Sequence, residues 1–212
     1  MRLELGKRVR CADGASQELA DVVINASTKA VTHLVVQPED DHDAARLVPI
    51  QLAEARGDGD EIGISCTAEM LKQLEPVAAH AYLQPGERIE EESNWDVGVE
   101  DVEAVPQYEP TAFGELGEYG QDAVISYDRV PKGEIELRHA SDVYSADRHH
   151  LGSVDGVVVD SRDQITQVLL ERGHLWWKRE LAIPATAISK FENDMVVLGV
   201  KKSELGAAVS KG

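Results

Sequence analysis

Leu19-Ala20-Asp21-Val22-Val23-Ile24-Asn25 and Val154-Asp155-Gly156-Val157-Val158-Val159-Asp160 repeat one pattern, and their correspondence decides the fold. Each is a β-branched run, too short for a helix, that ends on Asn or Asp, residues that hydrogen-bond locally in turns. The match extends both ways at an offset of 134 to 135 positions. Val9 falls on Val143 and Asp13 on Asp147, and a one-residue insertion separates these from the quoted runs. Downstream, Val31-Thr32-His33-Leu34-Val35-Val36 falls on Ile165-Thr166-Gln167-Val168-Leu169-Leu170, Val48-Pro49 on Ile183-Pro184, and Leu71 on Leu205. Matches kept in this order indicate a duplicated domain.

Each copy reads as short strands with turn chemistry between them. Ala12-Asp13-Gly14 and Ala146-Asp147-Arg148-His149-His150 follow a first strand, and the paired apolar runs then form a hairpin. Runs this continuous bury both faces, so Val22, Ile24, Leu34, Val36, Val157, Val159, Val168 and Leu170 are expected in a core. Pro49 and Pro184 cannot donate to a ladder and belong at a strand start or an edge. A short helix is expected after the last strand of copy one, with Thr67 as N-cap, Glu69 in the first turn and Met70, Leu71 and Leu74 on one face. Lys202-Ser203-Glu204-Leu205 is its counterpart. A small sheet exposes edges unless it closes, which favours two small β-barrels.

The chain of 212 residues has a formal net charge of -18, and residues 76 to 133 hold more than half of that charge. With Glu87 to Glu92 and recurrent Gly and Pro, this middle segment is expected to be irregular or extended chain. Trp95, Tyr108 and Phe113 are costly to leave in water, so part of it should lie across a barrel, with Glu90-Glu91-Glu92 solvated. The expected organisation is all-β: domain 1 over residues 1–75, an acidic linker over 76–133 and domain 2 over 134–212, each domain with a short C-terminal helical turn.

Both copies resemble the PRC-barrel family, named for the cytoplasmic domain of the photosynthetic reaction-centre H subunit and shared with the C-terminal domain of the ribosome maturation factor RimM. In copy two the resemblance rests on Val143-Tyr144-Ser145-Ala146-Asp147, Leu151 to Asp160, Ile165 to Leu170 and Ala182-Ile183-Pro184, with Arg129 to Glu134 leading in. In copy one it rests on Leu5-Gly6-Lys7-Arg8-Val9, Ala12-Asp13-Gly14, Thr32 to Val36 and Val48-Pro49-Ile50. Gln17 stands where copy two has Gly152. The resemblance implies tandem small barrels used as docking modules.

Chemistry-bearing patterns are sparse. Cys11 and Cys66 have no metal-ligand spacing and read as reduced thiols. His139, His149, His150 and His174 all fall in copy two, but His149 and His150 match a turn, and no metal site is expected. Neither a nucleophile elbow nor a phosphate-binding glycine loop is present, so neither a catalytic residue nor a cofactor is expected. The patch that stands out is Arg172-Gly173-His174-Leu175-Trp176-Trp177-Lys178-Arg179, replaced in copy one by Pro38-Glu39-Asp40-Asp41-His42-Asp43. Aromatics beside arginine are common binding anchors, which makes Arg172, His174, Trp176, Trp177 and Arg179 candidate protein-binding residues; an equal alternative is that the cations of the patch engage the acidic linker.

These features point to a non-enzymatic cytoplasmic adaptor or assembly scaffold that docks on protein partners. The alternatives are a ribosome or RNP assembly factor of RimM-like type, and a small-ligand binder or enzyme using the cleft between barrels. The charge argues against direct DNA binding and disfavours RNA. Membranes would be reached only through a protein complex, and a homodimer is compatible with the reading.

Overall fold

The computed structural model describes residues 1–38, 41–56, 61–83, 94–106, 121–172 and 179–206. Copy one supplies strands β1 (Arg2–Glu4), β2 (Lys7–Arg10), β3 (Ser16–Asn25), β4 (Ala30–Gln37), β5 (Arg46–Pro49), β6 (Ala53–Arg56) and β7 (Glu61–Ile64), then helix α1 (Ala68–Leu71). The middle segment supplies β8 (Ala78–Leu83), β9 (Trp95–Pro106) and β10 (Gln121–Pro131). Copy two supplies β11 (Glu134–Arg138), β12 (Asp142–Tyr144), β13 (His150–Val159), β14 (Ile165–Arg172), β15 (Arg179–Pro184), β16 (Ile188–Glu192) and β17 (Met195–Leu198), with a 3-10 turn at Lys202–Glu204.

The two seven-stranded sheets have one topology. The first runs β5-β4-β3-β2-β7-β6 and the second β15-β14-β13-β12-β17-β16. In both, the first strand of the repeat's own hairpin pairs in parallel with the last strand, β2 with β7 and β12 with β17. The sheets curl as half-barrels; among the described residues the ladder runs from β5 to β6, and from β15 to β16, without closing on itself. Pro49 and Pro184 end the outermost strands, where a missing N–H costs no ladder bond.

The seventh strand of each sheet comes from the other repeat. β1 lies antiparallel on β13, with Leu3 opposite Val157 and Glu4 opposite Gly156. β11 lies antiparallel on β3, with Leu137 opposite Val22 and Arg138 opposite Asp21. The hairpin tips also meet: Val31 donates its amide to the Asp163 carbonyl and Ile165 donates to the Lys29 carbonyl, each at 2.9 Å. Lys29 then reaches across to the carbonyls of Ala185 and Ile188. The eight residues expected in the core are all buried there, in one apolar cluster drawn from both repeats.

Irregularities recur as well as strands. Ala20 and Asp155 are skipped in matching bulges, and Thr32 and Thr166, skipped at the other end, set their hydroxyls 3.2 and 3.0 Å from the Val23 and Val158 carbonyls. Gly6 and Ala140 share the left-handed conformation, as do Gly14 and Arg148, and Lys29 and Asp163. The one-residue insertion of copy two is absorbed beside Gly152, where Val143 pairs with Gly152 and Tyr144 with His150, so that Leu151 is the extra residue. In copy one Val9 pairs with Gln17 and Arg10 with Ser16 without a bulge. The repeated aspartates close the turns: Asp13 accepts from the amides of Ala15 and Ala68, and Asp147 accepts from the Ser145 hydroxyl and the Lys202 amide. Each therefore ties the first turn of its repeat to the terminal helical turn.

Three expectations need correction. The middle segment is not simply irregular chain: β8, β10 and β9 form a three-stranded antiparallel sheet in that order. Val77 and Val130 bury against Val23, Val35 and Leu47 on the outer face of the first sheet, with Trp95 packed beside them and the Arg129 guanidinium 5.0 Å over its ring. Burying Val23 and Val35 explains why the run at Val22 to Ile24 is apolar on both faces, since one side fills the half-barrel and the other meets this sheet. Met70 is 55% exposed, not grouped with Leu71, because α1 is a single turn capped by Thr67. Among the described residues the expected barrels are curled half-barrels that exchange strands. Tyr108, Phe113 and Glu90 to Glu92 lie outside the described residues.

Candidate functional site

A cleft of about 390 Å³ opens where the first sheet meets the three-stranded sheet. β3 contributes Glu18, Ala20 and Asp21, β4 Gln37, the 3-10 turn His42–Ala44 Asp43, and β8 Ala78. β10 contributes Tyr127 and Asp128, and the crossing strand β11 ends in it with Arg138 and then His139. Strand exchange is thus what brings a cation of copy two among carboxylates of copy one.

Arg138 organises the floor. Its Nη2 donates to Asp128, which is 2% exposed, and its Nε lies 3.7 Å from the fully buried Glu136 carboxylate. Asp21, also buried, accepts from the His139 amide at 3.0 Å. Burial opposes the charge on Arg138, but Glu136, Asp128 and Asp21 outweigh it and raise its pKa, so the guanidinium stays protonated. The Arg138 amide donates to Ser141 Oγ, which donates to Asp194 at 2.7 Å, fixing the end of β11. A buried ion cluster of this kind is costly to assemble and costly to break, and so fixes which strand lies there more than it stabilises the fold.

A second contact between the repeats joins β4 to the start of β11. Thr32 Oγ1 donates to Glu134 Oε2 at 2.5 Å, and His33 Nδ1 lies 3.6 Å from the same oxygen. Burial pushes the His33 pKa down and Glu134 only partly opposes it, so the imidazole is neutral near neutral pH.

Three further histidines pair at the surface: His149 with Asp147 at 3.2 Å, His150 with Asp142 at 2.9 Å, and His139 with Asp155 at 3.8 Å. Among the described residues no group of three His, Cys, Asp or Glu could hold a metal ion. Cys11 and Cys66 are buried and form no disulfide, and burial pushes the Cys66 thiol up, away from nucleophilic character. Among the described residues no helix is long and apolar enough to cross a membrane.

Arg172 and Arg179 face each other as the last partners of the β14–β15 ladder. His174, Trp176 and Trp177 lie outside the described residues. The structure instead brings together Asp21, Asp128 and Arg138, which sequence reasoning did not single out. One signal was present: Asp21 interrupts an apolar run at the place where copy two has Gly156. Compared with family models and with curated proteins, the chain matches none.

Proposed function

We propose that the chain is a non-enzymatic adaptor or assembly scaffold of two tandem PRC-type modules, working in the cytoplasm and docking on protein partners. The observation that carries this reading is the reciprocal strand exchange. Two curled sheets that each lack a strand complete one another around a shared core and hold a separate acidic sheet on one face. That is a stiff frame presenting a distinct β-surface, suited to positioning other proteins. The segments that resemble the PRC family support the finer reading, since Val143 to Asp147, Leu151 to Asp160 and Ile165 to Leu170 all fall on the strands and turns of the second sheet. The net charge of -18 favours protein over nucleic acid as partner. A ribosome-assembly role belongs to the same class of docking function.

The test is native extract chromatography followed by reconstitution. The chain should elute with a partner, and the two purified components should re-form a complex of fixed stoichiometry. A chain that elutes alone at its own mass, at its cellular concentration, removes the adaptor reading.

A second reading is favoured by the cleft, whose volume is within the range of small-ligand sites. It lies between the first sheet, the three-stranded sheet and the end of β11. A small-molecule thermal-shift screen in which Asp43→Asn abolishes a hit would support it, and hits insensitive to the cleft residues would not.

A further inference from the structure

We infer that the outer edge of β9 is a docking edge for a basic, extended protein segment, which adds to the three-stranded sheet as a fourth strand. This rests on the adaptor reading and names the class of partner. β9 runs twelve residues, about 40 Å at about 3.3 Å per residue, and its ladder partner β10 occupies one side only. Among the described residues no strand pairs with the other side. The opposite edge of the sheet, β8, is half as long and lies against the 3-10 turn His42–Ala44, and β9 approaches β11, so β9 is the longer of the two edges.

An edge this long is a template for another chain, and natural proteins restrict what can pair with it by charge. The sequence of β9 carries Asp96, Glu100, Asp101 and Glu103 and no basic residue. A second copy of β9 laid alongside would set carboxylates against carboxylates, and like charges facing across a pair of strands destabilise it. A strand of alternating cations and apolar residues meets the reverse situation. Backbone hydrogen bonds supply affinity and opposite charge supplies selection, while the acidity of the whole chain draws such a segment in. The register is regular from Glu100 to Pro106 against Gln121 to Tyr127, with the irregularity confined to the Tyr127–Arg129 side. The stretch from Glu100 to Val105 is therefore the part of the edge best formed to accept a partner; Pro106 at its end has no N–H to donate.

The test uses the full chain and a labelled ten-residue peptide of alternating lysine and valine, read by fluorescence anisotropy and by hydrogen exchange. Binding is expected together with slowed exchange at Glu100 to Val105. N-methylation of alternate peptide residues keeps the charge but blocks one ladder edge, and should weaken binding by about 10-fold or more. Glu100→Gln with Glu103→Gln should weaken it by a smaller factor and reduce its salt dependence. An N-methylated peptide that binds as well as its parent, protection located elsewhere, or no binding of either peptide overturns the inference. The failures are separable: a chain that re-forms a stoichiometric complex with its native partner but ignores N-methylation keeps the adaptor reading and loses this edge.

Discussion

Leu3 and Leu137, 134 positions apart, occupy the same place in opposite halves of the molecule. Each is fully buried in a terminal strand laid on the other repeat, Leu3 over Val157 and Leu137 over Val22. The apolar part of this exchange is the same on both sides, and the next residue differs. Glu4 meets Gly156, whereas Arg138 meets Asp21. In the alternative in which each terminal strand folds back onto its own repeat, Glu4 would face Asp21 and Arg138 would face Gly156, so the charges at this position select the exchanged pairing.

Because the two leucines fill one core, truncating either should lower the stability of the whole molecule. Leu3→Ala and Leu137→Ala should each cost about 2 to 5 kcal/mol in urea unfolding, as a single transition. Two transitions, with one repeat unaffected, would show that the repeats fold independently.

Gly156 should resist replacement. A Cβ there would lie 2.3 Å from the Leu3 carbonyl oxygen and 3.0 Å from the Glu4 Cα, both backbone atoms of the crossing strand. Gly156→Ala should therefore destabilise by about 1 to 3 kcal/mol and speed amide exchange across β1. Unchanged protection of the Leu3 and Leu5 amides would mean that the strands sit farther apart.

Arg138→Met removes the cation that Asp128 and Glu136 share. Leaving buried carboxylates uncompensated should cost about 3 to 5 kcal/mol, well above the effect of Arg2→Met, whose Glu4 partner is more exposed. Equal losses for the two substitutions, measured as urea midpoints, would contradict the view that the cluster at β11 is buried and mutually dependent.

The duplication, the hairpins and the eight core positions were legible because they depend on local periodicity, which short β-branched runs such as Val157 to Val159 carry within themselves. Strand exchange was not, since Leu3 fits Val22 and Val157 equally well and nothing in periodicity says which it will meet. The Arg138 cluster was missed for a related reason: Asp21, Asp128 and Arg138 are distant in sequence and each alone resembles a surface charge. The acidic composition of residues 76 to 133 argued for irregular chain, but Val77, Val130 and the partly buried Trp95 gain enough by covering Val23 and Val35 to hold a sheet there.

Titration should expose two groups that both weaken the fold as the pH falls, in different windows. The Asp147 carboxyl is held down to about 2, first by the Ser145 hydroxyl and then by the Lys202 amide, from an ordinary 3.8. A carboxylate depressed in the fold contributes stability that is present above 3.8 and is lost as pH falls through about 2. Asp147→Asn should therefore flatten the melting-temperature profile across that acid window. His33 is depressed by burial from 6.5, so the unfolded chain takes up its proton first and stability falls as pH drops below 6.5. A His33 proton-resonance midpoint at or above 6.5 would contradict the buried, neutral assignment.

The aromatic pair between β14 and β15 gives the last prediction, because two readings of it make different demands. If Trp176 and Trp177 anchor a partner, alanine at the more exposed of them should weaken binding by about 1 to 2 kcal/mol while the melting temperature stays unchanged. If the basic residues beside them serve instead to hold the acidic middle segment, Arg172→Glu with Arg179→Glu should speed amide exchange in β8 to β10, and added salt should do the same to the parent chain, since exposed ion pairs are screened. The two outcomes are read on different observables, so a single set of variants decides between them. Partner binding unchanged by either tryptophan substitution leaves the β9 edge as the surface to test first.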